Sequence, residues 1–462
     1  MPVEERPSRE QQRCGETLIV LGNEEPVLTK LQRIAEKASN DKQCQFTSLF
    51  HLMNKELLLE CFTSLRGKAA SGIDNVTKEA YGSDLDANLD SLVERLHQMS
   101  YRPQPVLRVY IPKSGSHKLR PLGVPVLEDK LVQAGLSRIL HCIYEQDFMG
   151  DSYGFRPARS CHDALRALSQ TVEGESIHYI VEADIKGFFD NVDQGQLMEF
   201  LSHRLADKRV LRMIKRFLKA GIQEDGQHRA SERGTPQGGV ISPLLANIYL
   251  HYTLDVWFEK RVKAQCEGYT RLIRYADDYV ACFQFARDAE WFEQAMAERL
   301  KQFSLELAAE KTRGFEFGPF AQSKAKARGE RAVTFDFLGF THYCSRTRNG
   351  QRFRMKRKTI SQRFTAKLKA YKQWVRANRT LSTAEIMKTT IAKLRGHIAY
   401  YGVTDNVKGV GRFVYCVNQT LFKWLNRRGK SGCYTWEKFA KLLSLFQWPK
   451  PCIKVNLLSS SQ

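Results

Sequence analysis

Two adjacent carboxylates inside an apolar run constrain this chain more than any other feature. They are Asp277 and Asp278 in Tyr275-Ala276-Asp277-Asp278, with Leu272 and Ile273 before them and Val280 and Ala281 after. Charges in an apolar segment are costly unless they are paired or bind metal. No basic residue stands between them, although Arg271 and Arg274 lie just upstream. On a straight strand, neighbouring side chains point to opposite faces. If both carboxylates serve one metal centre, the chain must bend there, most simply at a hairpin turn. The plainer alternative is a solvated turn.

A second carboxylate segment lies about 90 residues earlier, Val181-Glu182-Ala183-Asp184-Ile185-Lys186-Gly187-Phe188-Phe189-Asp190. It again sets an Asp at the end of a strand-like apolar run, Ile177 to Ile185. Two strands that each deliver a carboxylate to one point can hold two divalent cations. Such a pair clamps the attacking and leaving oxygens of an in-line phosphoryl displacement. Mg²⁺ suits an oxygen-only site with few protein ligands, because it keeps waters and takes further ligands from substrate phosphates. The pattern points to two-metal phosphoryl transfer.

The 462 residues carry a formal charge of +22, which favours a polyanionic partner and says little about fold. Nucleic acid fits better than a membrane. No stretch approaches the roughly 20 apolar residues of a spanning helix, and the N-terminus is polar, unlike a signal peptide. The eleven cysteines show no CxxC spacing, which argues for a reducing, cytoplasmic setting and against a zinc ribbon or disulfide scaffold. For a nucleic-acid binder, that setting would be nucleoid-associated.

Residues 1–25 read as flexible, and apolar spacing from Leu28 to about Leu65 reads as helical. Val106 to Lys113 and Lys118 to Leu122 read as a hairpin carrying Lys113, Lys118 and Arg120, either a solvated edge or a set of phosphate ligands. Irregularly alternating strands and helices favour an α+β fold over a doubly wound sheet. The composition then shifts. From Phe337 to Ala384 there is no Asp or Glu, while thirteen residues are Lys or Arg, with Phe353, Phe364, Tyr371 and Trp374 interleaved. Positions 364, 368, 371 and 375 form a helical apolar stripe, which leaves the basic residues on an outer face for nucleic acid.

These residues, taken in order, resemble a group II intron reverse transcriptase, or maturase, of bacterial type. The motifs begin with Ala70-Ser71-Gly72-Ile73-Asp74, Ile111-Pro112-Lys113, Arg120 to Pro125 and Tyr153-Gly154-Phe155-Arg156-Pro157. They continue through Ala183-Asp184-Ile185 with Phe188-Phe189-Asp190, Gly234 to Gly239, and Tyr275 to Asp278. Glu310-Lys311-Thr312, Phe337-Leu338-Gly339-Phe340 and Leu394 to Tyr401 complete the series.

The resemblance implies a right-hand polymerase, with fingers and an antiparallel palm over 26–345 and a helical thumb, or maturase domain, over 346–455. It implies that Asp184 and Asp277 ligate two Mg²⁺ ions, for which Mn²⁺ could substitute, with Asp278 in support and Ile185 lending its carbonyl. Lys113 and Arg120 would hold the triphosphate of a dNTP. Phe189 would be the steric gate against a 2′-hydroxyl, with Phe188 in the core if the two lie on a strand. Gln237 would lie near the nucleotide's sugar and the templating pair, and Phe337–Phe340 would grip the primer. Nucleic-acid contacts would come from Lys311, Arg352, Arg354, Lys356, Arg357, Lys358, Arg363 and Lys367. The implied partners are template and intron RNA, a DNA primer or target, and a second copy of the chain in a homodimer. The endonuclease of longer relatives has no counterpart in the sequence, so the primer is expected from a nick or a replication fork. The alternatives are a reverse transcriptase serving DNA repair or defence, and a splicing factor that no longer polymerises.

Overall fold

The computed structural model describes residues 26–458 apart from 68, 113–118, 236, 237, 348 and 429–433. Its strands, in chain order, are β1 (Val106–Pro112), β2 (Leu119–Val124), β3 (Tyr179–Asp184), β4 (Ile222–Glu224), β5 (Gln227–Arg229) and β6 (Thr270–Tyr275). Then follow β7 (Asp278–Phe283), β8 (Arg313–Glu316), β9 (Phe335–Phe337), β10 (Phe340–Arg346) and β11 (Phe353–Thr359). They form three sheets, ordered β2-β1-β4-β5, β6-β7-β3-β8 and β11-β10-β9. Only β1 and β4 pair in parallel among the described strands. With helices making up most of the remainder, the architecture is α+β.

The sheet β6-β7-β3-β8 positions the carboxylates, and its sequence explains why. Side chains alternate faces along a strand, and here both faces are covered. Val181, Ala183, Tyr279, Ala281 and Phe283 enter one core, shared with the N-terminal helices and the long helix Leu127–Asp147. Ile180, Ile273, Val280 and Cys282 enter a second core, shared with the helix Cys161–Gly174 and the C-terminal helices. Two buried faces make the strands read as continuous apolar runs.

That second core extends through Leu394 and Ile398 of the helix Thr383–Tyr401 and Val410, Phe413 and Val417 of the helix Val407–Leu425. The preceding helix, Ser361–Ala377, buries Tyr371 and Val375 and packs Phe364 and Leu368 against the same core, as its apolar stripe predicts.

Several expectations are corrected. The apolar stretch from Leu28 is two helices, Val27–Asn40 and Lys55–Ser64, separated by a 3₁₀ turn at Phe50–Leu52. The Asp207 carboxylate accepts hydrogen bonds from the Leu49 and Phe50 amides at 2.7 and 2.9 Å, a long-range partner that favours the break. The first part of the acid-free segment is the β10–β11 hairpin, paired from Phe340↔Thr359 to Arg346↔Phe353. That hairpin crosses residue 346. Among the described residues, no helix is long and apolar enough to cross a membrane.

Candidate active site

β6 and β7 are joined by a two-residue turn, Ala276-Asp277, with Tyr275 paired to Asp278. The bend required by two adjacent carboxylates is therefore present. Ala276 takes a left-handed φ of 58°, an unfavourable conformation for a residue with a Cβ. Four hydrogen bonds from Arg274 brace it. The guanidinium grips Asp255 at 2.7 and 2.5 Å and donates to the Asn247 amide oxygen at 2.9 Å and to the Ala276 carbonyl at 3.0 Å. Arg274 is 1% exposed. Asn247 in turn donates to the Gly154 carbonyl at 2.7 Å. Gly154 presses so closely on the turn that a Cβ there would lie 2.3 Å from the Ala276 amide nitrogen. These supporting residues were missed as functional in the sequence. The available signal was a set of polar residues, Asn247, Asp255 and Arg274, inside apolar segments.

β3 brings the third carboxylate. Asp184 sits directly opposite Asp278 in the β3–β7 register, and the two share a face by strand parity. Ile185 follows in a bridge to Leu307. Three cations bear on the cluster. Lys311 forms an ion pair with Asp184, while Arg120 and Lys311 act on Asp277, and Arg363 and Lys311 on Asp278. Desolvation, then the Asp277 and Asp184 charges, push the Asp278 carboxyl up to about 7. Its side chain is open to solvent, so the like charges carry more weight than burial here. Asp277 is also raised, first by desolvation and then by Asp184.

Among the described residues, no group of three His, Cys, Asp or Glu side chains is gathered into a ready metal cage. The donor chemistry nevertheless fits a hard cation. Three carboxylates crowd one another, Lys311 already neutralises one, and Mg²⁺ takes only one or two protein carboxylates and fills its shell with water and phosphate.

The remaining predicted residues divide. Phe188 and Phe189 lie on a short helix, Phe188–Asn191, and not on a strand; Phe188 is 2% exposed and Phe189 half-buried. The Phe189 carbonyl accepts from the Thr235 amide at 2.8 Å, so the glycine-rich loop lies beside it. Gly238 of that loop has φ 111°, and an added Cβ would stand 2.3 Å from the Gly123 carbonyl of β2. Lys113 and Gln237 lie outside the described residues.

On β11, Arg357 shares the inward parity of Met355 and is fully buried, donating to Ser169 at 2.5 Å. This removes it from the expected nucleic-acid face. Arg354 is paired with Asp405 at 3.2 Å. Lys367 is half-buried over the Tyr401 ring, and desolvation, then Lys393, lowers it to about 8. Lys356 is half-buried, whereas Arg352, Lys358 and Arg363 are exposed.

The Leu338-Gly339 turn between β9 and β10 stands against the C-terminal helices. Tyr400 donates to the Leu338 carbonyl at 2.8 Å, and Arg363 lies beside Gly339. The Tyr400 carbonyl meets His162 Nε2 at 2.9 Å.

Comparison with known proteins agrees with this geometry. The family model of reverse transcriptase (RNA-dependent DNA polymerase) matches residues 111–342, and that of the group II intron maturase-specific domain matches 361–441. The chain is 28% identical, over 91% of its length and 80% of the relative's, to the group II intron-encoded protein LtrA of Lactococcus lactis subsp. cremoris. It is 39% identical to Protein YkfC of Escherichia coli strain K12, over 49% of this chain and 61% of that one. Nuclear intron maturase 2, mitochondrial, of Arabidopsis thaliana is 27% identical over 29% of this chain and 24% of its own. The chain belongs to the reverse transcriptases, RNA-directed DNA polymerases, of the group II intron maturase type.

Proposed function

We propose that this reverse transcriptase extends a primer 3′-hydroxyl with dNTPs on an RNA template, and binds intron RNA to assist splicing and mobility. The observation that carries the reading is the opposition of Asp184 and Asp278 across β3–β7, with Asp277 in the adjoining turn and Arg120, Lys311 and Arg363 around them. In right-hand terms, the two sheets before residue 320 are fingers and palm, and the helices from Ser361 are the thumb. The β10–β11 hairpin favours a working boundary near 360 over one at 346.

Asp184 and Asp277, with Asp278 and the Ile185 carbonyl in support, would hold two Mg²⁺ ions, or Mn²⁺ in their place. When bound, such ions acidify the primer hydroxyl and neutralise phosphate charge. The primer hydroxyl would give up its proton to solvent as its oxygen bonds to the α-phosphorus, the bond from that phosphorus to the bridging oxygen would break, and pyrophosphate would leave. Arg120, with Lys113, binds the triphosphate and stabilises charge that develops on it. Phe189 lies under the sugar, and Gln237 contacts the nucleotide's sugar end. Lys311, freed from Asp184, is available to phosphate. Tyr400 keeps the Leu338-Gly339 turn in place beneath the primer end. Arg352, Lys356, Lys358 and Arg363 contact RNA, while Arg354 and Lys367 contribute less because each is engaged within the protein.

Primer extension on an RNA template with dNTPs and Mg²⁺, beside the Asp277→Asn protein, tests this reading. Long cDNA from the wild type alone is expected, with RNA binding kept by the variant. No product from the wild type, despite salt-sensitive RNA binding, would leave a splicing factor in place of a polymerase.

A further inference from the structure

Far in sequence from the acid-free segment, a second cationic surface lies on the helix Lys208–Lys219, LysArgValLeuArgMetIleLysArgPheLeuLys. Six of its twelve residues are Lys or Arg and none is acidic. Val210, Met213, Ile214, Phe217 and Leu218 are buried, which fixes the opposite face outward. Lys208, Arg212, Lys215 and Lys219 are exposed. Their spacing of four, three and four residues sets them in one row, about 16 Å long at 1.5 Å per residue.

The row is held rigidly. The Asp207 side chain caps the helix by accepting from the Arg209 and Val210 amides, and Arg216 donates to the Met99 and Tyr101 carbonyls, both at 2.9 Å. No carboxylate pairs with the four row cations among the described residues. Like charges three and four positions apart on a helix repel, and Arg216 is lowered first by desolvation and then by Arg102 and Arg212. A face kept only for solubility has no need of such crowding. The helix Ala286–Gln302 shows the ordinary pattern, mixing Asp288, Glu290, Glu293 and Glu298 with Arg287, Arg299 and Lys301.

We propose that the Lys208–Lys219 face binds the phosphate backbone of double-helical RNA. Single-strand sites pair a basic groove with aromatic platforms for the bases, and this helix exposes no aromatic residue. Duplex RNA is read through its shape, phosphates and 2′-hydroxyls, for which a straight, rigid row of cations is suited. The cations that act most strongly on Asp277 and Asp278 are Arg120, Lys311 and Arg363, none of them in this row. The choice of RNA rests on the proposed polymerase and maturase reading.

The test uses the full chain with Lys208, Arg212, Lys215 and Lys219 all changed to Gln. Affinity for a blunt 20-base-pair RNA duplex and for a single strand of about that length is followed from about 50 to 200 mM KCl. Each phosphate neutralised contributes about 0.9 to the slope of log affinity against log salt. If each of the four cations neutralises one phosphate, the duplex slope should become shallower by about 3.6, with the single-strand slope changed by less than about one. A melting temperature at or above that of the wild type shows that the fold is intact, since like-charge pairs have been removed. A duplex slope unchanged within one, or equal losses on duplex and single strand, would overturn the proposal. Primer extension by the same proteins separates the two failures. Extension without a slope change refutes this site alone, and a slope change without extension by the wild type refutes the polymerase reading alone.

Discussion

Replacing Arg274 with Met tests whether the buried guanidinium is what holds the active-site turn. The side chain is 1% exposed and makes two bonds to Asp255, itself 5% exposed, besides those to Asn247 and the Ala276 carbonyl. Arg274→Met strands a carboxylate in the core, which costs about 3–5 kcal/mol. With a denaturant slope of about 3 kcal/mol/M, the urea midpoint should fall by about 1–1.7 M. His251 sharpens the test. It is buried and lowered to about 4 by desolvation, against the pull of Asp255 and with the push of Arg274 and Arg156. Without Arg274 its protonated form gains, so the variant should lose less stability at pH 5.5 than at pH 8. Adding Asp255→Leu removes the stranded charge and should restore most of the stability. Polymerase activity should not return, because the Ala276 carbonyl still lacks its charged donor. A bond of that kind is worth about 1.5–3 kcal/mol, or about 10- to 150-fold in rate where it is needed for the productive geometry. Full activity in the double variant would refute the bracing role, and a loss below about 1 kcal/mol in the single variant would refute the buried pair as a structural element.

The Asp277 and Asp184 charges hold the Asp278 carboxyl above its usual range, so just above that range the native state holds more protons than the unfolded chain and stability falls as pH rises. Asp278→Asn should therefore raise the melting temperature more at pH 8 than at pH 5, and an equal gain at both would remove the like-charge explanation. Mg²⁺ should raise the wild-type melting temperature at pH 8 and do so less for Asp277→Asn; identical responses would place the ion elsewhere. Tyr400→Phe deletes the bond to the Leu338 carbonyl, worth about 1 kcal/mol. The primer KM should rise about fivefold with the dNTP KM unchanged, whereas a shift in both would argue against a primer-specific role. Phe189→Val should admit ribonucleotides, and sugar selectivity that stays as it was would argue against the gate.

The carboxylate centre was legible because apolar strands ending in Asp leave few ways to arrange the charges. The Ala276-Asp277 turn and the Asp184↔Asp278 register follow that logic. What composition could not supply was parity. Thirteen cations in an acid-free stretch read as one surface, yet half of a strand's residues point inward, and Arg357 is one of them. Nor could local spacing reveal partners distant in sequence. Asp207 reaches back to Leu49 and Phe50 and favours a turn where apolar spacing reads as helix. Arg274 draws its partners from a helical segment 19 and 27 residues earlier. Polar residues in an apolar stretch announce a network without naming its members.

The polymerase and maturase-specific segments are not physically separate at the active site. Arg363 belongs to the first maturase-domain helix, yet its charge acts on Asp278. Tyr400, from the second, holds the turn next to β10 through Leu338 and meets His162 of the Cys161–Gly174 helix through its own carbonyl. The two Tyr400 contacts are short and direct, whereas Arg363 reaches Asp278 through its charge alone, so a shift of the C-terminal helices would alter the turn by contact and the carboxylate by electrostatics. The electrostatic consequence has a definite sign. A phosphate that draws Arg363 away from Asp278 removes an attraction that favours the carboxylate, and a cation arriving among the three aspartates restores it while competing with Lys311 for Asp184. On the proposed reading, nucleic acid and metal would act on the same three carboxylates from opposite directions, and a metal ion there would compete with the ion pair between Lys311 and Asp184.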